Sequence, residues 1–237
     1  MSYLQNRVAL ITGASKGIGR ALALHLAQSG MKLALVGRSE PELQTLAQEL
    51  GSTPHLICVG DVGNEKQVQN WIDTIVATWG SIDFLINNAG FGIFKSADEL
   101  TLADWEAVFS TNTTGTFLMS KAVLPSMKQA KSGHIINVAS DVAKRVFEQG
   151  SLYCASKYAQ DAFSMALRKE VRPFGIKVSV VYSGLVDSMF HRDPQGADSH
   201  ADWLKVDDMA KSIQFMMDQP KHVVIDELMI HPLSQPY

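Results

Sequence analysis

Seven short stretches of the chain are almost continuously apolar: RVALIT (7–12), KLALVG (32–37), HLICVG (55–60), IDFLIN (82–87), HIINVA (134–139), KVSVVY (177–182) and HVVIDELMI (222–230). A strand with one wet face alternates apolar and polar residues, whereas a strand covered on both faces does not. The pattern therefore predicts a parallel sheet lying between two layers of helices. The segments between the runs carry the helical period. In EKQVQNWIDTIVATWG, Val68, Trp71, Ile72, Ile75, Val76 and Trp79 recur on one face behind Asn64, a good N-cap residue. In SEPELQTLAQELG, Ser39 is placed to cap, Glu42 to complete a capping box and Pro41 to occupy the first turn, while Gly51 ends the run. Alternating strands and helices of this kind predict an α/β fold: a doubly wound, Rossmann-type, mostly parallel sheet of about seven strands with helices on both faces, in one domain spanning residues 1–237.

One segment breaks the alternation. DSMFHRDPQGADSHADW, from Asp187 to Trp203, gathers Asp193, Pro194, Gly196, Asp198 and Ser199 between a strand and a helix. Loops after the strands of an open α/β sheet border the ligand crevice, so residues 187–205 are a candidate substrate lid; an ordinary surface loop would have the same composition.

Composition narrows the function. At 237 residues and 46% hydrophobic, the chain can bury one sizeable core. A net charge of −3 offers no basic footprint for nucleic acid or an anionic membrane surface. No window reaches the apolar length of a membrane span, and MSYLQNRVALITG lacks the build of a secretory leader. The two cysteines, Cys58 and Cys154, form neither a disulfide framework nor a metal-ligand spacing, which fits a reducing cytoplasm. Asn112-Thr113-Thr114 matches a glycosylation acceptor, a match without meaning where no secretory route is expected.

The first chemical signal follows the first strand. Thr12-Gly13-Ala14-Ser15-Lys16-Gly17-Ile18-Gly19 leads into the helical RALALHLAQSG. A tight glycine turn feeding a helix N-terminus points free N–H groups and the helix dipole at a phosphate, and its position between strand and helix marks a dinucleotide site. The second strand then ends in Gly37-Arg38, where NAD-binding folds place an acid on the ribose hydroxyl. An arginine can instead hold a 2′-phosphate bidentately, with Lys16 as a second cation, so NADP(H) is the expected cofactor; Glu40 stands nearby as an opposing charge.

The second signal is Tyr153 and Lys157 in YCASK, four residues apart and so on one helical face. A phenol titrates near ~10, and a neighbouring ammonium is what brings its proton chemistry toward neutral pH. Ser140 ends the fifth strand, so it too can reach the crevice at the carboxyl end of the sheet. Hydride delivery to a carbonyl leaves charge on oxygen; Tyr153 can protonate that oxygen while Ser140 stabilises it. Taken singly, Ser140 also reads as a helix cap and Asn112 as an amide bonded to its own helix. The rival phenol, Tyr158, is carried off this face by the helix turn.

The glycine turn, Asn87-Asn88-Ala89-Gly90, Ser140, Tyr153 and Lys157, in that order over nearly the whole chain, resemble the short-chain dehydrogenase/reductase family. The resemblance implies Tyr153 as acid/base, Lys157 as the holder of the nicotinamide ribose and depressor of the tyrosine pKa, Ser140 as the orienter of the carbonyl and Asn112 as the end of a proton relay. It further implies cofactor contacts at Gly13, Ser15, Lys16, Gly17, Ile18, Gly19, Asp61, Val62, Asn88, Ala89 and Gly90, besides Arg38, Tyr153 and Lys157. After the sixth strand the family has Pro-Gly and then Val and Thr; Ser183-Gly184-Leu185-Val186-Asp187-Ser188 departs from it, losing the proline's fixed φ and keeping Val186 and Ser188 for the nicotinamide amide. Phe91, Phe94, Val142, Phe147, Leu185, Met189 and Phe190 suggest an apolar pocket. The implied activity is NADPH-dependent reduction of a ketone or aldehyde. Oxidation of a hydroxy acid or other alcohol, reduction of a 3-oxoacyl thioester, and a non-catalytic NADP(H) sensor are the alternatives. The C-terminus lacks the glycine-rich ending of many ketoacyl reductases, which weighs against the thioester. A homodimer or homotetramer built on the helices around Asn112 and Tyr153 is the implied assembly.

Overall fold

The computed structural model describes residues 3–190 and 193–235. Its sheet has seven parallel strands: β1 (Val8–Thr12), β2 (Lys32–Gly37), β3 (His55–Val59), β4 (Phe84–Asn87), β5 (Gly133–Val138), β6 (Ile176–Ser183) and, past a two-stranded ribbon, β9 (Glu227–Ile230). Their spatial order is β3-β2-β1-β4-β5-β6-β9. The direction of travel reverses between β1 and β4, and the crevice that opens there, at the carboxyl ends, is where such sheets bind ligands. The last apolar run pairs only over its second half; Val223 to Asp226 lie outside the strand. The ribbon, β7 (Val186–Asp187) with β8 (Leu204–Lys205), was not legible in the pattern because each strand is two residues long.

Both faces of the sheet are covered, as the unbroken apolar runs require. Ala9 and Ile11 of β1 join one core with Leu22 and Leu26 of α1 (Gly17–Gln28), Leu43 and Leu46 of α2 (Glu40–Leu50) and Met209 and Ile213 of α7 (Val206–Met217). Val8 and Leu10 point the other way, into a core with Val68, Trp71, Ile72 and Ile75 of α3 (Glu65–Trp79) and Leu118, Met119 and Val123 of α5 (Gly115–Ala130). Each such fully buried Leu or Ile contributes about 1.5–3 kcal/mol. Asn64 caps α3, accepting the Gln67 N–H at 3.2 Å. Ser39 does not cap α2: its hydroxyl makes no cap bond and the residue lines the crevice instead. A side-chain capping box forms instead at Thr101 and Asp104 of α4 (Leu102–Phe109).

Two features position the site. The helix α6 (Ser151–Val171) is amphipathic in an unusual sense. Its lower half buries Leu167 and Val171, and its upper half buries Tyr153, Ser156, Lys157 and Gln160. Between α4 and α5 the chain forms a π-turn (Ser110–Thr114), closed by the Gly115 N–H on the Ser110 carbonyl, and this bulge carries Asn112 toward α6. Such bulges cluster at functional sites.

Candidate active site

Gly13 follows β1 at φ +65, and a Cβ there would stand 2.9 Å from Asn88 Nδ2 and 3.0 Å from the Ala89 Cα. The close approach is used: Asn88 Nδ2 donates to the Thr12 carbonyl at 2.9 Å, while Thr12 Oγ1 accepts the N–H groups of Asn88 and Ala89, both at 3.0 Å. The turns after β1 and β4 are thereby locked together at the mouth of the crevice. Lys16 precedes α1 without a side-chain cap, and the first turn holds no acid, so its N–H groups and dipole are left for an anion. Gly19 does not line the crevice; its missing Cβ makes room for the Gly13 carbonyl.

From this turn a cleft of about 760 Å³ runs along the ends of the strands. Its walls include Ser15, Lys16, Ile18, Arg38, Asp61 and Val62, with Lys16 and Arg38 exposed to solvent and the Arg38 guanidinium 6.0 Å from the Phe91 ring centre. Besides Asp61, Glu42 is an acid of the lining, whereas Glu40 lies outside it. Asp61 also shapes its own turn, accepting the Gly63 N–H at 2.8 Å. Gly17, Asn88, Ala89, Gly90, Val186 and Ser188 line the same cleft, and a Cβ on Gly17 would stand 3.9 Å from Ser188. These residues fit a dinucleotide: glycines where a backbone must approach, an uncapped helix start for the phosphates, and two cations in the lining. Ser183, in the place of the family's proline, ends β6 in register with Ile230, whose carbonyl accepts the N–H of the next residue, Gly184, at 2.8 Å.

Tyr153 is buried in the cleft wall, with the Ser140 hydroxyl beside it, and is ringed by Phe94 and Phe190 at 5.6 and 5.5 Å between ring centres. Burial pushes the Tyr153 phenol well above its ordinary pKa, with Asp141 and Cys154 adding to the rise and the Ser140 hydrogen bond opposing it. Lys157 Nζ lies 5.9 Å from the Tyr153 ring centre and donates to the Val138 carbonyl and to Gln160 Oε1, both at 3.0 Å. Burial pulls Lys157 down to about 8, which leaves it mainly an ammonium at neutral pH. Ser140 caps the short turn after β5 only weakly, at 3.4 Å to the Val142 N–H, and its hydroxyl also reaches Asp141 and the Ser183 carbonyl. Tyr158 is exposed, on another face.

Asn112 is not in the cleft. Its amide is fully buried and grips the loop after β4, accepting the Phe91 N–H at 3.0 Å and donating to the Phe91 carbonyl at 2.9 Å, with a third bond to Ser156 Oγ at 3.0 Å. The amide therefore bonds across to the β4 loop and α6, and the alternative of an amide bonded to its own helix is overturned. Inside the π-turn it is also inaccessible to any glycosylation.

Three polar residues of the substrate end escaped the sequence reading. Asp141, buried beside Ser140, accepts from Arg145 Nε at 2.7 Å and Gln235 Nε2 at 2.8 Å. Asp141 and Arg145 form an i,i+4 pair that the sequence displayed. Nothing local marks Gln235, which arrives from the far end of the chain to accept the Leu185 N–H. The apolar residues Phe91, Phe94, Val142, Phe147, Leu185, Met189 and Phe190 all line the cleft. Of the expected lid, the ribbon pins both ends, and Asp187 accepts from the Gly196 N–H, His200 Nδ1 and Lys205 Nζ; His191 and Arg192 lie outside the described residues.

A family model described as short chain dehydrogenase matches residues 7–197. The chain belongs to the short-chain dehydrogenase family. This short-chain dehydrogenase is 32% identical over 233 residues to an uncharacterized oxidoreductase of Staphylococcus aureus (strain USA300), covering 98% of this chain and 100% of that one. Among solved structures, it superposes on an alcohol dehydrogenase of the archaeon Thermococcus sibiricus complexed with 5-hydroxy-NADP at a TM-score of 0.92, with 30% identity, covering 98% and 99% of the two chains. A closed form of serine dehydrogenase complexed with NADP+ gives 0.90 at 31% identity over 97% and 96%. Serine dehydrogenase from Escherichia coli gives 0.87 at 30% identity over 97% and 100%.

Proposed function

We propose that this short-chain dehydrogenase is an NADPH-dependent reductase of a ketone or aldehyde, running in reverse as an alcohol dehydrogenase. The observation that carries the reading is that one cleft is lined by Tyr153, Ser140 and Lys157 together with the glycine turn and Arg38. When bound, the dihydronicotinamide supplies a hydride to the carbonyl carbon. The protein's part is then acid and electrostatic. Because burial keeps the Tyr153 phenol protonated at neutral pH, it is ready to donate its Oη proton to the carbonyl oxygen. Ser140 Oγ donates a second hydrogen bond to that oxygen, and the Lys157 ammonium favours the phenolate left behind. Arg38 and Lys16 hold the 2′-phosphate, Asp61 and Val62 flank the adenine, and Val186 and Ser188 meet the nicotinamide amide. Phe94, Phe147 and Phe190 exclude water and favour an apolar substituent, with 187–205 acting as the lid.

A second reading is oxidation of a hydroxy acid with NADP+. It is favoured by Arg145, fixed by Asp141 on the wall of the substrate end, where a guanidinium can meet a carboxylate, and by the two serine dehydrogenases among the solved relatives.

The test is an assay of ketones and aldehydes with NADPH, and of hydroxy acids with NADP+, run with the wild type and Tyr153→Phe. Tyr153→Phe is expected to lose at least about a hundredfold in kcat, the lower range for a positioned proton donor, with NADPH binding retained. Undiminished turnover by the variant would sink the mechanism. Turnover of no carbonyl or alcohol by the wild type, with NADPH bound, would return the non-catalytic sensor.

A further inference from the structure

Gln160 lies one helical turn beyond Lys157, on a buried face of α6, where both of its amide atoms are hydrogen-bonded. Oε1 accepts from Lys157 Nζ at 3.0 Å, and Nε2 donates to Thr116 Oγ1 at 2.9 Å. The Thr116 hydroxyl in turn donates to the Asn112 carbonyl at 2.8 Å. All four residues are buried, Gln160 to 1% exposure and Thr116 to 3%. The Gln160 backbone is held as well: its carbonyl accepts from Ser164 Oγ at 2.6 Å, and Ser164 accepts from Asn137 Nδ2 on β5 at 2.7 Å.

From this geometry we infer that Gln160 is a positioning residue for Lys157, clamped through Thr116 to the π-turn at Asn112. The inference rests on the proposed role of Lys157 beside Tyr153 and the cofactor ribose. An ammonium has three protons to place and no acceptor of its own. Two of them go to Val138 and Gln160, which aims the third at the cleft that Lys157 lines. An apolar residue at 160 would leave the buried ammonium one acceptor short and free to rotate about its stem. A glutamine amide cannot hand on a proton as a hydroxyl does, so the chain from Asn112 to Lys157 orients the lysine instead of conducting. The other polar or charged groups facing this corner are Tyr153 on α6, Ser140 and Asp141 after β5, and the Asn112 amide on the π-turn, which lies 3.2 Å from where a Gly90 Cβ would be.

The experiment compares Gln160→Met, Thr116→Val and Thr116→Ser with the wild type. NADPH affinity is read by fluorescence, and the pH profile of kcat/KM is read for alcohol oxidation, which needs the Tyr153 phenolate. Gln160→Met weakens the ammonium's support of that phenolate, so the acidic limb should move up by about one pH unit, and NADPH binding should weaken about tenfold. Thr116→Val keeps the shape and removes the hydroxyl, and should move both readouts the same way by less; Thr116→Ser should match the wild type. A folded Gln160→Met with an unmoved limb and unchanged NADPH affinity would overturn the inference. If that variant does not fold, the Thr116 pair decides: identical behaviour of the Val and Ser variants would overturn it. NADPH affinity needs no turnover, so a wild type that oxidises no alcohol refutes the proposed reaction while the affinity series still decides the role of Gln160.

Discussion

Arg38 shows what one residue contributes to cofactor choice. It follows β2 directly and is exposed, on the wall of the cleft it shares with Lys16 and Glu42. A charge-assisted hydrogen bond to a phosphate is worth roughly 1.5–3 kcal/mol, so Arg38→Ala should lower the NADPH over NADH preference in kcat/KM by about tenfold to a hundredfold. An unchanged ratio would show that the 2′-phosphate is read elsewhere. The position and charge of Arg38 were legible because a residue just after a strand is placed by the strand. Asn112 was expected at the site from its family motif alone; its grip on both backbone groups of Phe91 depends on a helix bulge that no local pattern announces.

At the scale of elements, β5 carries the site at one end and a stability device at the other. His134, near its start, is fully buried, packs on Phe84 and bonds Ser179 Oγ at 2.8 Å. Burial, with the charge of Lys177, pulls its pKa from the ordinary 6.5 to about 3. Below 6.5 the unfolded chain takes up a proton that the native imidazole refuses, so this residue's contribution to stability is lost as pH falls from 6.5 toward 3. The urea midpoint of the wild type should therefore drop more steeply between pH 7 and 4.5 than that of His134→Asn; parallel slopes would refute the assignment. The sequence showed β5 as a strand, since HIINVA is apolar throughout, and gave no sign that its histidine is held neutral, because neutrality comes from neighbours on β4 and β6.

For the molecule as a whole, the helices beside the site bear on assembly. Phe117 of α5 and Tyr158 and Met165 of α6 are exposed, each by at least 40%. Large apolar side chains on neighbouring helices are what an interface between copies would cover. Sedimentation is expected to give a dimer or tetramer, and a monomer at micromolar concentration would exclude it. Among the described residues, no helix is long and apolar enough to cross a membrane.

By itself the sequence determined the layers and which residues sit where strands end. Periodicity of 3.6 or 2 and the glycine turn are local properties, and a strand end places its next residue at the crevice whatever else the chain does. Ser140, Tyr153, Lys157 and the glycine turn were legible for that reason. The tertiary structure alone decided which of these residues support one another. Gln160 reaches Thr116 from 44 positions away, Gln235 reaches Asp141 from 94, and Ser39 leaves its cap to face the cleft. Such contacts form between elements brought together by the packing of two cores, and their partners are set by burial and distance, quantities that a string of residues does not contain.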